Sequence, residues 1–169
     1  MDGKKLSKED KLNLEKPFSL EEIKEAVWSC DESKAPGPDG FNLKFFKTCW
    51  NNVKNDLLKA FTDSFETGKL PQGVNSTFLT LIPKSSNPVD VSEFRPISLI
   101  GSVYKIIAKV LSKRLREVID GVISDTQCAF VKGRQIFDGI LVANEVIHTM
   151  KKENGGLLVK LDFAKAYEC

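Results

Sequence analysis

FRPISLIGSVYKIIAKVLSKRL, residues 94–115, leads into the clearest helical pattern in the chain. It opens with FRPISLI, an apolar, proline-stiffened run that predicts a short extended segment. From residue 102 to residue 119, apolar side chains recur every three or four positions along one face, which predicts an amphipathic helix. An extended segment leading directly into a long helix indicates a chain that mixes both element types.

The lysines of this helix, Lys105, Lys109 and Lys113, are spaced four apart and form a row on another face. Residues 101–134 contain seven Lys and Arg against three Asp and Glu, although the net charge of the whole chain is only +2. Such a row can contact phosphates without reading a base sequence. Without further evidence, an ordinary solvated helix face is the favoured interpretation of the same charges.

Helical patterns also dominate the flanking sequence. Ser19 and Glu22 have the spacing of a capping box, which predicts the start of a helix over SLEEIKEAVWSC. Residues 41–68 predict two helices with a break at Asn51 and Asn52. One more helix is expected over QIFDGILVANEVIHTM, which begins at residue 135.

Three short runs predict strands, namely STFLTLIPK (76–84), CAFV (128–131) and LLVKL (157–161). With helices in the majority and short strands gathering toward the C-terminus, the expected fold class is α+β. The loop KAPGPDG (34–40) has two prolines and two glycines, so it cannot form regular structure. Residues 1–16 form a polar lead-in, and residues 17–169 form one domain or part of one.

The overall composition excludes several classes of protein. No apolar run is long enough to span a bilayer, and the charged N-terminus lacks a signal peptide's apolar core, so no membrane association is expected. Four cysteines lack CxxC spacing and His148 is the single histidine, which argues against zinc and for free thiols. An intracellular protein is therefore expected, in the nucleus or the cytoplasm.

Lys84 and Arg95 are the first candidates for chemistry. Lys84 follows a predicted strand and Arg95 lies in the next extended segment, so a hairpin-like fold would bring both cations together. Arginine binds phosphate oxygens bidentately and lysine neutralises them as a point charge, which suits a triphosphate. From the spacing alone, two ordinary surface cations are the favoured interpretation.

Asp162 is a candidate of a different kind. It comes directly after the apolar run LLVKL, and a carboxylate at the end of a buried strand is unfavourable unless it is paired or holds a metal. Aspartate is also common at helix starts, so it could cap a helix that begins at Phe163. The residues alone leave the two interpretations open.

The order of the segments resembles the first part of the reverse transcriptase of non-LTR retrotransposons, most closely the LINE-type elements of plants. The matching strings, which cover the chain from about residue 17 onward, are KAPGPDG, LTLIPK, FRPISLIGSVYKIIAKVLSKRL, QCAFVKGRQIFDGILVANEVI and LLVKLDFAKAY. Any one of them would be a weak signal, whereas five in the family's order are specific. The resemblance implies helix-rich fingers with short strands and part of a right-hand polymerase palm.

The resemblance also implies roles for individual residues. Lys84 and Arg95 match the fingers residues that contact the triphosphate of the incoming deoxynucleotide. Asp162 matches the first catalytic carboxylate of the palm, a Mg²⁺ ligand, and Phe163 would place its backbone beside the metal. Tyr167 falls at the aromatic position that crowds the ribose 2′-OH.

Gly133 and Arg134 match a segment of the family that lies near the template. The implied partners of the complete domain are an RNA template, a DNA primer and a deoxynucleoside triphosphate.

Two-metal phosphoryl transfer needs more carboxylates than Asp162 supplies. In the family these come from a β-hairpin with a YADD-type sequence, and no such string occurs in the 169 residues. The expectation is therefore a catalytically incomplete part of the domain. Two alternatives stay open, a nucleic-acid-binding module without catalysis and a scaffold protein in which Lys84, Arg95 and Asp162 are surface or capping residues.

Overall fold

The computed structural model of the chain describes residues 5–153 and 155–161. The chain divides into two compact units, Leu6–Val118 and a second unit that includes the residues from Ile119 onward. Helices dominate both, and a two-stranded antiparallel sheet lies in the first. The fold class is therefore α+β, as predicted.

The larger unit contains five helices and the two strands. They are α1 (Lys8–Glu15), α2 (Leu20–Ser29), α3 (Leu43–Thr48), α4 (Trp50–Thr67), β1 (Thr77–Pro83), β2 (Phe94–Ile100) and α5 (Ser102–Val118). A single turn of 3₁₀ helix, Val91–Glu93, precedes β2. The predicted polar lead-in thus contains a helix, α1. A capping box formed by Ser7 and Asp10 stabilises its N-terminus.

The core of the larger unit forms where the apolar faces of α2, α3, α4 and α5 meet. Burial of these amphipathic faces is the main contribution to the stability of the unit, because isolated helices of this length are marginal in water. Phe18 packs edge-on against Phe61 of the core, with ring centroids 5.2 Å apart. The buried core residues are Ile23, Ala26, Val27, Leu43, Phe46, Leu57, Phe61, Ile106 and Val110.

The start of α2 confirms one half of the predicted capping box and corrects the other. The Ser19 hydroxyl accepts a hydrogen bond from the Glu22 backbone N–H, at 3.1 Å, as predicted. The Glu22 carboxylate, however, accepts two hydrogen bonds from Arg114. A bidentate charged partner holds this carboxylate more strongly than a backbone N–H would.

Residues 41–68 form two helices, as predicted, but the break lies at Cys49 and not at Asn51 and Asn52. Cys49 ends α3 and precedes α4, and its backbone N–H donates to the carbonyl of Phe45. The asparagines lie in the first turn of α4, where their weak helix propensity matters least. Gly68 ends α4 in a left-handed conformation, with φ of 65°.

The strands β1 and β2 pair antiparallel from Thr77 opposite Ile100 to Pro83 opposite Phe94. This pairing confirms the two predicted extended segments. All residues of β1 are exposed, so the ribbon lies open to solvent on both faces. The β-branched and aromatic residues of both strands therefore stabilise the ribbon through cross-strand contacts.

The second unit contains one long helix, α6 (Ile136–Lys152), which confirms the helix expected from residue 135. Every residue of α6 is described and none is buried. In the described part of this unit Val131 is the one buried side chain. The large apolar side chains of α6 are thus mostly exposed, although Cys128 lies against Gly139 and Met150 lies against Gly156 within this unit.

The two strands predicted in this unit are wrong. Ala129 and Phe130 lie in a turn, and residues 128, 131 and the described residues 155–161 have no regular structure. Both segments are apolar, but a strand needs hydrogen bonds from a neighbouring strand, and the described part of the unit supplies none. Strands therefore do not gather toward the C-terminus in the part of the chain that is described.

Other expectations from composition can be compared with the described residues. Cys30, Cys49 and Cys128 are free thiols, as predicted. No helix among the described residues combines the length and the apolar character needed to cross a bilayer.

Candidate functional site

Lys84 and Arg95 come together at the tip of the β1–β2 ribbon. Arg95 pairs with Ile82, and the Lys84 backbone N–H donates to the carbonyl of Glu93 at 2.8 Å, which continues the antiparallel register by one position. Because side chains alternate between the faces of a strand, Lys84 and Arg95 lie on the same face as diagonal neighbours. The Cα atoms of diagonal neighbours on paired strands are about 7–8 Å apart. Both side chains are exposed.

The ammonium of Lys84 already has a partner in the loop at the ribbon tip. Its Nζ donates to the carbonyl of Ser92 at 2.7 Å. The Glu93 carboxylate accepts hydrogen bonds from the backbone N–H groups of Val89 and Asp90. These bonds, with a smaller contribution from Lys84, hold the pKa of Glu93 below its usual range. A lysine has three N–H donors, so Lys84 can close this loop and still bind an anion.

The loop 34–40 lies at the opposite end of the ribbon, against the turn from β2 into α5. Gly37 approaches this turn so closely that a Cβ would lie 2.4 Å from the backbone nitrogen of Gly101. Any other residue at Gly37 would collide with backbone that cannot move aside. The prediction of an irregular loop is confirmed, and the close approach explains why glycine occupies its centre.

Asp39 fixes the same loop by capping α5 from a distance of 63 residues along the chain. Its carboxylate accepts from the Ser102 backbone N–H at 3.0 Å and from the Phe41 backbone N–H at 3.3 Å. The Ser102 hydroxyl in turn donates to the carbonyl of Phe41 at 2.7 Å. Sequence reasoning missed this cap because no local pattern links an aspartate in a turn to a helix so far away.

A cleft of about 400 Å³ opens beside this junction. Its lining includes the loop residues Pro38 and Asp39, the turn residues Gln72 and Ser76, and Gly101. Asp39 is the one charged residue of the lining, and its carboxylate is already hydrogen-bonded. The cleft therefore suits a neutral polar group better than a phosphate.

The predicted lysine row does lie on one helix, α5, but two of its members make contacts inside the larger unit. Lys105 Nζ donates to the carbonyl of Ala35 at 2.9 Å. Lys113 forms an ion pair with Glu25 at 3.1 Å. Lys109, between them, is partly buried. Their role as phosphate contacts stays a prediction.

Arg114 is a residue whose importance sequence reasoning missed. Its side chain is 5% exposed and binds both oxygens of Glu22, at 2.7 and 2.8 Å. It also donates to the carbonyls of Leu14, Lys16 and Pro17, and its guanidinium lies 4.2 Å from the centroid of the Phe18 ring.

The hydrogen bond from Arg114 holds the pKa of Glu22 below its usual value, against the opposing effect of burial. A signal for this contact was present in the sequence. Arg114 falls in the four-residue spacing of Ile106, Val110 and Val118, which are buried side chains of α5. A charged residue in a buried register indicates a partner.

Gly133 and Arg134 lie in the second unit, before α6. Gly133 has a φ of 84°, a backbone conformation that favours glycine. The Arg134 guanidinium binds the Asp120 carboxylate at 2.6 Å and donates to the carbonyls of Ser124 and Gln127. These contacts organise residues 120–134, and the proximity of Arg134 to a template stays a prediction.

Asp162, Phe163 and Tyr167 lie outside the described residues. Among residues 5–153 and 155–161, no group of three His, Cys, Asp or Glu side chains is arranged to hold a metal ion. The described part of the candidate site therefore consists of the cations at the ribbon tip and the loop at the ribbon base, and the metal ligand stays a prediction.

The sequence matches the family model of the reverse transcriptases, described as RNA-dependent DNA polymerases, over residues 82–168. The match covers just over half of the chain and includes Lys84, Arg95 and Asp162.

Similar proteins are encoded by mobile elements. The chain is 33% identical over 164 residues, 96% of its length, to the transposon TX1 uncharacterized 149 kDa protein of Xenopus laevis. It is 29% identical over 112 residues, 60% of its length, to the RNA-directed DNA polymerase from mobile element jockey of Drosophila melanogaster. It is 27% identical over 161 residues, 90% of its length, to the Pol polyprotein from the type-1 retrotransposable element R2 of Popillia japonica.

The chain spans 12% of the TX1 protein, 12% of the jockey polymerase and 20% of the R2 polyprotein. These matches agree with the order of the five sequence segments quoted above. The chain belongs to the reverse transcriptase family, as part of a reverse transcriptase domain of the non-LTR retrotransposon type.

Proposed function

We propose that these residues form the fingers of an RNA-directed DNA polymerase and contribute the first carboxylate of its palm. The observation that carries the proposal is the position of Lys84 and Arg95 on one face at the tip of a largely exposed ribbon whose strands contain no other charged residue. Its substrates are a deoxynucleoside triphosphate, an RNA template and a DNA primer. The activities of the relatives, described by names such as RNA-directed DNA polymerase, support these substrates.

Lys84 and Arg95 would bind a triphosphate in different ways. The planar guanidinium of Arg95 fixes the orientation of a phosphate through two parallel hydrogen bonds. Lys84 adds a positive charge whose direction is less restricted, and its contact with Ser92 holds the ammonium at the tip. Binding the triphosphate on a ribbon open on both faces leaves its α-phosphate accessible to a primer.

Asp162, Phe163 and Tyr167 complete this proposal. Asp162 would supply one carboxylate to Mg²⁺, which, when bound, neutralises phosphate charge and activates the attacking hydroxyl. Phe163 would contribute its backbone next to that carboxylate. Tyr167 would exclude a ribonucleotide because its ring would occupy the space of the 2′-OH.

We further propose that the 169-residue polypeptide alone does not polymerise. A two-metal reaction needs carboxylates beyond Asp162, and the sequence contains no YADD-type string to provide them. The purified polypeptide, given primed template, Mg²⁺ and deoxynucleotides, should produce no extended primer. Measurable synthesis would show that the proposed dependence on further carboxylates is wrong.

Nucleotide binding tests the central proposal directly. The affinity of a fluorescent deoxynucleoside triphosphate should fall by about tenfold or more for each of Lys84→Ala and Arg95→Ala, since each loses a charge-assisted contact. Lys59→Ala is the matched control, because Lys59 is an exposed lysine on α4, away from the ribbon. A double variant carries both Lys84→Ala and Arg95→Ala. If its affinity equalled that of the wild type, this would instead favour a scaffold or a binding module without catalysis.

A further inference from the structure

The inference concerns Phe41, the aromatic residue that directly follows the loop 34–40. Its side chain is 47% exposed. Its ring lies 4.4 Å from the ring of Phe45, tilted by 34°. Phe45 packs edge-on against Phe46, which belongs to the core. Phe41 is therefore an exposed ring that a chain of aromatic contacts supports from the core.

The backbone of Phe41 is held at both of its polar groups. Its N–H donates to the Asp39 carboxylate, and its carbonyl accepts from the Ser102 hydroxyl. The preceding residue, Gly40, donates to the carbonyl of Gly37 at 3.0 Å. An exposed aromatic side chain on such a fixed backbone loses little conformational entropy when a ligand packs on it.

Three lysines lie on or beside the same loop. Lys34 begins the loop, and its side chain is 71% exposed and forms a surface ion pair with Asp31 at 3.7 Å. The Lys105 ammonium donates a hydrogen bond to the carbonyl of Ala35. Lys44, three residues after Phe41, is exposed. Exposed aromatic rings among cationic side chains are the usual surface for single-stranded nucleic acid, where the bases stack and the phosphates meet the charges.

We propose that Phe41 is a stacking platform for one base of single-stranded nucleic acid, with Lys34, Lys44 and Lys105 facing the strand's phosphates. The contact does not depend on which base is bound, because every base offers a flat π-face. This inference rests on the proposed function, in which the chain binds a template, and adds a position at which the strand is held.

The first experiment measures binding of the 169-residue chain to a labelled single-stranded oligonucleotide across a series of salt concentrations. Phe41→Ala should weaken binding by roughly 5- to 100-fold, the range for the loss of one base–aromatic stack. The slope of log affinity against log salt should stay unchanged, because no charge is removed. Phe41→Trp should bind as tightly as the wild type or more tightly.

Phe65→Ala is the matched control. Phe65 is 46% exposed and touches one other ring, that of Phe18 at 5.4 Å, but it lies on α4 and away from the loop. It should lose similar packing and leave oligonucleotide affinity unchanged. Circular dichroism of each variant shows whether it is folded.

A second measurement keeps the proposal testable if Phe41→Ala does not fold. An oligonucleotide that carries 5-iodouracil should photocrosslink to the peptide containing Phe41 in the wild-type chain. Crosslinks that map elsewhere, or equal affinity for wild type and Phe41→Ala, would overturn the stacking site and leave the proposed function intact. A wild-type chain that binds no oligonucleotide at all would overturn both.

Discussion

Arg114 is the one charged residue that is buried in the described part of the chain, and it joins α5 to α2 and to the segment before α2. Its contacts are two carboxylate oxygens, three backbone carbonyls and one aromatic ring. A buried guanidinium of this kind contributes little net energy as a pair, but removing one partner leaves the other groups without hydrogen bonds.

Replacement of Arg114 by Ala should lower the free energy of unfolding by about 3 kcal/mol. Arg114→Lys should recover only part of this loss, because an ammonium cannot bind both oxygens of Glu22 and the carbonyls of the preceding segment together. Urea denaturation followed by circular dichroism measures both values. Arg116→Ala, at an exposed position on the same helix, should change stability by less than about 0.5 kcal/mol.

The pH dependence of stability should reflect the lowered pKa of Glu22. Its pKa is lower in the folded chain than its ordinary value of 4.5, so the ionised carboxylate stabilises the fold at neutral pH. That contribution is complete above the unfolded value and is lost as the pH falls from about 4.5 through the folded pKa.

Glu22→Gln should therefore be less stable than the wild type at pH 7, and the difference should shrink as the pH falls below about 4.5. The difference between the two unfolding free energies, measured by urea denaturation over that range, tests this expectation. A difference that stays constant with pH would contradict it. Asp31 and Glu93, whose pKa values are also lowered, add the same sign of dependence to both proteins and cancel in the comparison.

At the scale of the elements, the junction between loop 34–40 and α5 can be tested through Asp39. Removal of a helix N-cap costs roughly 0.5–2 kcal/mol, so Asp39→Ala should destabilise the chain by about 1 kcal/mol. Asp39→Asn should cost less, since the amide oxygen still accepts hydrogen bonds. Asp63→Ala, an exposed carboxylate on α4, serves as the control and should have little effect on thermal unfolding.

The elements that sequence could predict are those with local signals. The apolar periodicity of α5, the serine cap of α2 and the β-branched run of β1 each lie within a few residues, and each prediction was confirmed. The two wrong strands, over residues 128–131 and 157–161, depended on a neighbour that the run itself cannot reveal. The apolar composition of these two runs indicates that their side chains could be buried, but it does not indicate whether another strand pairs with them.

In the candidate site, too, the contacts with local signals could be predicted, and those between distant residues could not. Lys84 and Arg95 could be placed together because the hairpin that carries them is a local structure. The Asp39 cap and the bidentate pair of Arg114 join residues from 63 to 92 positions apart. No pattern in a single sequence specifies such partners, although the buried register of Arg114 indicated that one existed.

At the scale of the molecule, the two units differ in how much core each contains. Every residue of the core cluster lies between Ile23 and Val110, inside the larger unit. In the described part of the second unit, α6 and residues 157–161 leave large apolar side chains exposed. The larger unit therefore has the packing that cooperative unfolding requires.

A polypeptide of residues 6–118 should fold by itself and unfold in a single cooperative thermal transition. A polypeptide of residues 119–169 should show no such transition, because α6 buries none of its side chains. Differential scanning calorimetry of the two pieces decides the matter. A non-cooperative profile for residues 6–118 would contradict the assignment of the core.

Exposed apolar side chains also affect the behaviour of the whole chain in solution. Phe78, Leu79 and Leu81 on β1 are each between 48% and 64% exposed. We therefore expect low solubility for the 169-residue polypeptide, since unprotected apolar strands promote association.

The ribbon has a mechanical consequence. Its strands have seven residues each, which gives a length of about 23 Å, and it is held at the end where Gly37 packs on Gly101. Over this length, a change of about 5° in the tilt of the ribbon at that glycine pair would displace its far end by roughly 2 Å. A bulkier side chain at Gly37 would thus misalign the distant cations without touching them.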